Sequence, residues 1–397
     1  MKQLLAIGFG LALAGCAGMN PTPSAGAPSW VGAWAGSPAP PAPNSPSVED
    51  QTIRQVVRLS AGGRSIRLRL TNEYGETPLE VGAASAALAG PDGKPTATPV
   101  AITFGGRPMA LIPRGAPMLS DPIALPVKAL DSVSISLFFP HATGPCTCHA
   151  LATATTWISA IGDYTKAGYF DATSSVTQRP FLSAVEVSPE TATRTIIAFG
   201  DSITDGFRST SEANRRWPDV LAERLQSAKM AISIANEAIS GNQVLGFNRV
   251  AFGDAALARF DRDVLSVPNA SWMIVLEGIN DIGQNGEKRP SAETMIVGYR
   301  QIIERAHARG LKVFGGTLLP DGGAAYFAES GEVVRQAVNE WIRTSKAFDG
   351  VIDFDAVMRD PANPKKMKAD LQSGDWLHPN DAGYKLMGET VDLKLFH

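Results

Sequence analysis

The hydrophobic rhythm of the chain changes once, at Ser188-Pro189, and the change dictates two differently built halves. Before it, over about residues 48–187, apolar side chains recur at every second position. Ile66, Leu68 and Leu70 alternate with Arg67 and Arg69, and Val133, Ile135 and Leu137 alternate with serines. A period of two belongs to strands with one face buried and one wet. Gly62-Gly63, Gly105-Gly106 and Pro140 punctuate these runs, and no stretch carries a convincing helical period. Short strands separated by turn residues predict an antiparallel β-sandwich or jelly roll over residues 48–188.

After Pro189, apolar strands alternate with amphipathic helices. Strands are expected at residues 195–199, 232–235, 272–276, 311–318 and 351–354, and helices at 217–225, 255–265 and 333–342. A further helix puts Met295, Tyr299, Ile302, Ile303 and Ala306 on one face and stops at Gly310. This pattern predicts an α/β domain over residues 189–397, a five-stranded parallel sheet covered on both faces. Two domains also suit a length of 397 residues. Ligands of such sheets bind beyond the carboxyl ends of the strands, so reactive groups belong in the loops that follow them.

Ahead of both halves, Lys2 and the apolar run from Leu4 to Leu13 fit a secretory signal, being shorter than the roughly 20 residues that span a bilayer. The run ends in Leu13-Ala14-Gly15-Cys16, which resembles the lipobox of bacterial lipoproteins, with Cys16 the lipidated residue. A plain signal peptide with an incidental cysteine is the alternative. Ala17, in place of an aspartate, resembles the Gram-negative signal for the outer membrane rather than retention at the inner one. The expectation is an exported lipoprotein held to the membrane only through its anchor, facing periplasm or cell surface. Residues 17–47, crowded with Pro, Ala, Ser and Gly, read as a tether, with the Trp30–Trp34 part docking onto the first domain. A formal charge of −3, with adjacent basic residues only in isolated pairs such as Lys365-Lys366, gives no footprint for nucleic acid. Cys146 and Cys148 are expected to be structural, as free thiols or as a strained bridge; with His149 they make only a weak metal cluster.

Gly200-Asp201-Ser202 follows the first strand of the second half, placing a serine at a strand-to-helix turn near backbone N–H groups. Ser and Asp are also ordinary cap residues, and no G-x-S-x-G elbow occurs anywhere in the chain. A serine nucleophile needs a base. Of five histidines, His397 is terminal, His307 lies on the polar side of a helix, and His141 and His149 belong to the sandwich. His378 remains, in the loop after the last strand. Asp375, three residues earlier, is close enough to accept from its Nδ1–H and turn Nε2 toward a serine. Ser240-Gly241-Asn242 follows the second strand and Gly278-Ile279-Asn280-Asp281 the third; Asn280 offers an amide donor.

In this order, Gly200-Asp201-Ser202, Gly241, Gly278-x-Asn280-Asp281 and Asp375-x-x-His378 resemble the blocks of the SGNH/GDSL hydrolase family, across about half the chain. The resemblance implies a flavodoxin-like sheet, no metal and no organic cofactor. It implies Ser202 as nucleophile, His378 as base and acid, and Asp375 as its orienter. The oxyanion hole would be the Ser202 and Gly241 N–H groups with the Asn280 side chain. The N-terminal half, opening with Trp30-Val31-Gly32-Ala33-Trp34, looks more loosely like the β-domain of xylan-related SGNH esterases. The expected activity is hydrolysis of carboxylic esters, on a small-molecule or polysaccharide substrate, with deacetylation of polysaccharides or glycosides the sharper form. The rivals are an acyltransferase acting on envelope glycans and a glycan-binding protein with a vestigial catalytic half. Oligomeric state stays open. Asp205 is expected in a turn role, Trp217 and Pro218 as a staple and a first-turn residue, and Asp353 and Asp355 as caps and solvated charges.

Overall fold

The computed structural model of the chain describes residues 29–246 and 252–397. The apolar run at 4–13, Cys16 and the first part of the expected tether lie outside the described residues. Among the described residues no helix is long and apolar enough to cross a membrane.

The first half is a sandwich of two antiparallel sheets. One has the order Val31–Ala35, Leu182–Ser188, Ser65–Thr71, Pro117–Leu119; the other has Ala172–Val176, Thr156–Ile161, Gln51–Arg58, Ser132–Phe139, Ala83–Leu88, Val100–Ala101. Ile66, Leu68 and Leu70 from one sheet and Val133, Ile135 and Leu137 from the other are fully buried in a single core. The serines opposite Ile135 are not wet as the alternation predicts: Ser134 and Ser136 are buried as well. Arg54 explains Ser136. Its Nε donates to Ser136 Oγ (2.8 Å) while its other nitrogens donate to the carbonyls of Ala167 and Gly168, so an irregular loop is pinned over the outer face.

The Trp30–Trp34 part docks onto the first domain as expected, and it does so as a strand of the sandwich. Val31–Ala35 is a strand paired with Leu182–Ser188, and Ala39 forms a bridge with Cys148. The short alternation of Val31 and Ala33, both buried, is hidden in the sequence by the Pro- and Ala-rich residues around it. This strand has its other face against the second domain. A Cβ on Gly32 would stand 3.0 Å from Val267 and 3.4 Å from Ala235, so a side chain there would push on its neighbours and glycine favours the close approach.

The second half is an α/β domain whose five parallel strands run in the order Ile232–Asn236, Arg194–Gly200, Ala270–Leu276, Lys312–Gly316, Gly350–Ile352. By chain order this is 2-1-3-4-5, the flavodoxin-like arrangement. The free edge at Ile232–Asn236 is covered by the sandwich. Ser60 Oγ donates to the Ile234 carbonyl (2.8 Å) and accepts from the Ile234 N–H (2.9 Å), satisfying an edge residue that has no neighbouring strand on that side. The expected helix at 255–265 is instead a short α-helix, Ala256–Phe260, continued by a π-helical turn, Asp261–Leu265.

Asp355 is not a solvated charge. It is fully buried, accepting from Arg335 Nη1 (2.8 Å), Arg343 Nη2 (2.6 Å) and Arg359 Nη1 (2.9 Å), while Asp353 caps the helix Phe354–Met358. Trp217 is the buried first residue of the helix Trp217–Ser227 rather than a staple ahead of it. The Asp355→Ala substitution removes a buried acceptor shared by three arginines and leaves the buried Arg335 only Glu332 and the Leu318 carbonyl as hydrogen-bond acceptors; it is expected to cost about 3–5 kcal/mol. Losing the partly exposed Arg343 in Arg343→Ala leaves Asp355 two other arginines and should cost about 1 kcal/mol or less. Urea unfolding midpoints of the two variants check the contrast.

Candidate active site

Three loops at the carboxyl edge of the sheet bring the candidate residues together. The first begins where Arg194–Gly200 ends. Asp201 caps the single helical turn Ser202–Asp205, its Oδ1 accepting from the Ile203 N–H (2.9 Å), which leaves Ser202 as the first residue of the turn. The Ser202 N–H therefore has no place in the turn's own hydrogen bonding.

His378 and Asp375 come from the loop before the helix Asp381–Thr390. Asp375 Oδ1 accepts from the N–H groups of Leu377 (3.0 Å) and His378 (2.9 Å), and its Oδ2 accepts from His378 Nδ1 (2.7 Å). Burial works against the Asp375 charge, but the ring and backbone donors outweigh it and hold the carboxyl well below the usual carboxylate range. With its proton on Nδ1, the imidazole presents a bare Nε2 to Ser202 Oγ at 2.9 Å. The tautomer is assigned from these partners. Phe207 sets its ring edge-on against the imidazole, 4.7 Å between centroids, and both Ser202 and His378 are buried.

The donor side is equally constrained. Asn280 Oδ1 accepts from Gln284 Nε2 (2.7 Å) and Tyr326 Oη (3.4 Å), which fixes the amide so that Nδ2 donates to the Asn242 carbonyl (3.0 Å). An amide nitrogen carries two hydrogens, so one is left over. Gly241 sits at φ +80°, a conformation that favours glycine, and a Cβ there would lie 2.5 Å from the Phe252 ring. Asp281 holds the same loop by accepting from the N–H groups of Val244 (2.8 Å) and Leu245 (3.0 Å); burial pushes its carboxyl up to about 7.

Sequence reasoning passed over Arg259. Its guanidinium, fully buried, donates from Nη2 to the Gly200 carbonyl (3.1 Å), from Nη1 to the Glu237 carbonyl (2.6 Å) and from Nε to Asn242 Oδ1 (2.9 Å). It thereby ties the loop before Ser202 to the loop around Gly241. The available signal was spacing: Ala256, Arg259, Phe260, Asp263 and Val264 recur at helical intervals, which puts a charged pair on the buried face. Asp205, expected in a turn role, accepts from both the N–H (3.0 Å) and the hydroxyl (2.7 Å) of Ser240. Cys146 and Cys148 form a disulfide, and among the described residues no group of His, Cys, Asp and Glu is placed to hold a metal ion.

Residues 198–386, which contain this whole constellation, match the GDSL-like Lipase/Acylhydrolase family. This part of the chain belongs to that family. Solved structures similar to this GDSL domain include a member of the lipolytic G-D-S-L family from Veillonella parvula, 21% identical over 51% of this chain and 98% of that one, with a TM-score of 0.38. A GDSL-like lipase from Bacteroides thetaiotaomicron is 17% identical, over 51% and 87% of the two chains, with a TM-score of 0.40. An acetyl xylan esterase is 21% identical, over 49% and 96%, with a TM-score of 0.38. Comparison with curated proteins gave no match.

Two outcomes follow for the GDSL domain. Gly241→Ala combines an unfavourable φ with a ring contact, so the loop must shift; turnover is expected to fall roughly 10- to 100-fold, measured with a soluble aryl ester. Asp281 has a folded pKa above its unfolded value of about 3.9. Its stabilising contribution is therefore complete below about pH 4 and lost as the pH rises through about 7. Asp281→Asn should gain stability relative to the parent between pH 5 and pH 8 in urea titrations. Parallel pH dependences for the two proteins would refute it.

Proposed function

We propose that the protein is a serine esterase that hydrolyses carboxylic esters through an acyl-enzyme. The observation that carries the reading is the unbroken series Asp375 Oδ2, His378 Nδ1, His378 Nε2 and Ser202 Oγ, with links of 2.7 Å and 2.9 Å. In this reading Ser202 Oγ bonds to the ester carbonyl carbon as its proton passes to His378 Nε2. The carbonyl oxygen, now carrying the negative charge, is held by the N–H groups of Ser202 and Gly241 and by the free hydrogen of Asn280 Nδ2. Collapse breaks the bond to the alcohol oxygen, which takes the proton from His378. Water then attacks the acyl carbon, gives its proton to Nε2, and the acid leaves as Ser202 recovers its hydrogen. Asp375 stays ionised and stabilises the imidazolium at each step.

The narrower proposal is deacetylation of acetylated polysaccharides or glycosides at the cell envelope. Its support is the export signal with Cys16, read as a lipid anchor, and the sandwich domain fused to the catalytic one. An acyltransferase would use the same acyl-enzyme with a sugar hydroxyl in place of water.

Ser202→Ala should lower kcat on p-nitrophenyl acetate by roughly 10³-fold or more, and a fluorophosphonate should label the parent at Ser202 alone. A fully active Ser202→Ala protein would end the reading. Acetate release from acetylated xylan, compared with aryl esters of increasing chain length, tests the narrower form. Faster acyl transfer than hydrolysis on adding a sugar acceptor would favour the transferase.

A further inference from the structure

His149 lies in the sandwich domain, directly after the Cys146–Cys148 disulfide, on the short strand Cys148–His149 that pairs with Arg179–Pro180. Its buried ring crosses to the other domain. Nε2 stands 2.9 Å from Asp205 Oδ1, and Nδ1 stands 3.1 Å from the Ser37 carbonyl oxygen. Asp205 closes the turn that Ser202 opens, and its second oxygen receives the N–H and hydroxyl of Ser240, the residue before Gly241. A continuous hydrogen-bonded path therefore runs from the sandwich, through the nucleophile turn, to the backbone expected to bind the oxyanion.

The chemistry of the path is specific. A carbonyl oxygen only accepts, and an ionised carboxylate only accepts. His149 satisfies both neighbours only when both ring nitrogens carry hydrogen, as an imidazolium. The charged groups facing the ring are Asp205 and Arg216, the latter from the start of the helix Trp217–Ser227. Burial and Arg216 oppose the charge, Asp205 and the Ser37 carbonyl favour it, and the net result is a pKa above the usual histidine range.

We propose that His149 is a positioning residue for ester hydrolysis, its doubly protonated ring fixing Asp205 and Asp205 fixing Ser240, so that the Gly241 N–H is held toward the oxyanion. The proposal rests on the esterase reading of Ser202. Neither His149 nor Asp205 touches the reacting atoms. Their contribution is to hold still a donor that must be in place before negative charge develops, since donors act without reorganising when they are already aimed.

The test uses the full chain and p-nitrophenyl acetate, with fluorophosphonate labelling of Ser202 alongside. His149→Phe keeps a ring but no donor, and should lower kcat roughly 10- to 100-fold while leaving KM nearly unchanged. His149→Gln keeps one donor and should recover part of the loss. Asp205→Asn should lose a similar factor, and the double variant should be no worse than Asp205→Asn alone, because the two act in series. The parent should lose kcat as the pH rises and His149 gives up a proton, and this alkaline fall should be missing from His149→Phe. An unchanged kcat in His149→Phe, additive losses in the double variant, or a loss that follows the melting temperature with no recovery in His149→Gln would overturn the proposal. If His149→Phe does not fold, the Gln and Asp205→Asn variants carry the same comparison. Failure of the parent to label at Ser202 is a different signature: it sinks the esterase reading beneath, and this proposal with it.

Discussion

The guanidinium of Arg259 reinforces the junction where the first two paired strands of the parallel sheet give way to the loops of the candidate site. Its acceptors are the carbonyls of Gly200 and Glu237, the side chain of Asn242 and Asp263 Oδ2 at 3.0 Å. An unmade hydrogen bond on a buried donor costs about 1–3 kcal/mol, so the ends of the first two strands and the Gly241 loop are held as one body. The charge is balanced locally. Asp263, despite its burial, is held low by Arg262 and Arg259 and takes the role of counter-ion. Glu277 lies 3.7 Å from Arg259, and neither of its oxygens has a hydrogen-bond partner among the described residues. Burial and the nearby Asp201 push its carboxyl well above the usual carboxylate range, against the pull of Arg259. Two arginines thus share Asp263 as counter-ion, while burial disfavours a second charged carboxylate beside them.

In the proposed mechanism that rigidity matters, because the donors of an oxyanion hole are effective to the extent that they need no rearrangement. Asn280 is held on its oxygen side by Gln284 and Tyr326 and on its nitrogen side by Asn242, whose own side chain is gripped by Arg259. The acid–base side is built separately, on the tight loop in which Asp375 is saturated by backbone N–H groups before it meets the imidazole. Two independently braced loops thus face one hydroxyl.

Which parts were legible in the sequence follows from the range of the signals. The five parallel strands announce themselves because strands buried on both faces must be apolar throughout, as in Ile196–Phe199 and Met273–Leu276. Ser202, Asp375 and His378 are legible through their short motifs and their positions after strands. What stayed hidden depends on contacts between residues far apart in the chain. Arg259, Asp355 and Arg54 look like surface charges until their partners, up to 222 positions away, are known. The strand Val31–Ala35 was hidden for a second reason. Five residues, three of them Gly or Ala, carry too little periodicity to stand out from a Pro- and Ala-rich background, and their burial is decided by the domain that packs on them.

The same strand decides how the sandwich should be regarded. A glycan-binding module that folds and works by itself would leave the catalytic sheet with an open edge at Ile232–Asn236, a row of unpaired N–H and C=O groups. Here that edge is closed by Ser60 and by the glycine-permitted approach of Val31–Ala35. Ser37 adds a hydrogen bond to Glu237 (2.6 Å), and His149 one to Asp205. Glu237 follows the end of the edge strand and Asp205 ends the turn that Ser202 opens, so the contacts cluster where the loops of the candidate site begin. A domain that completes the sheet edge and grips the loops of the site is part of the catalytic body, whatever else its outer surfaces bind.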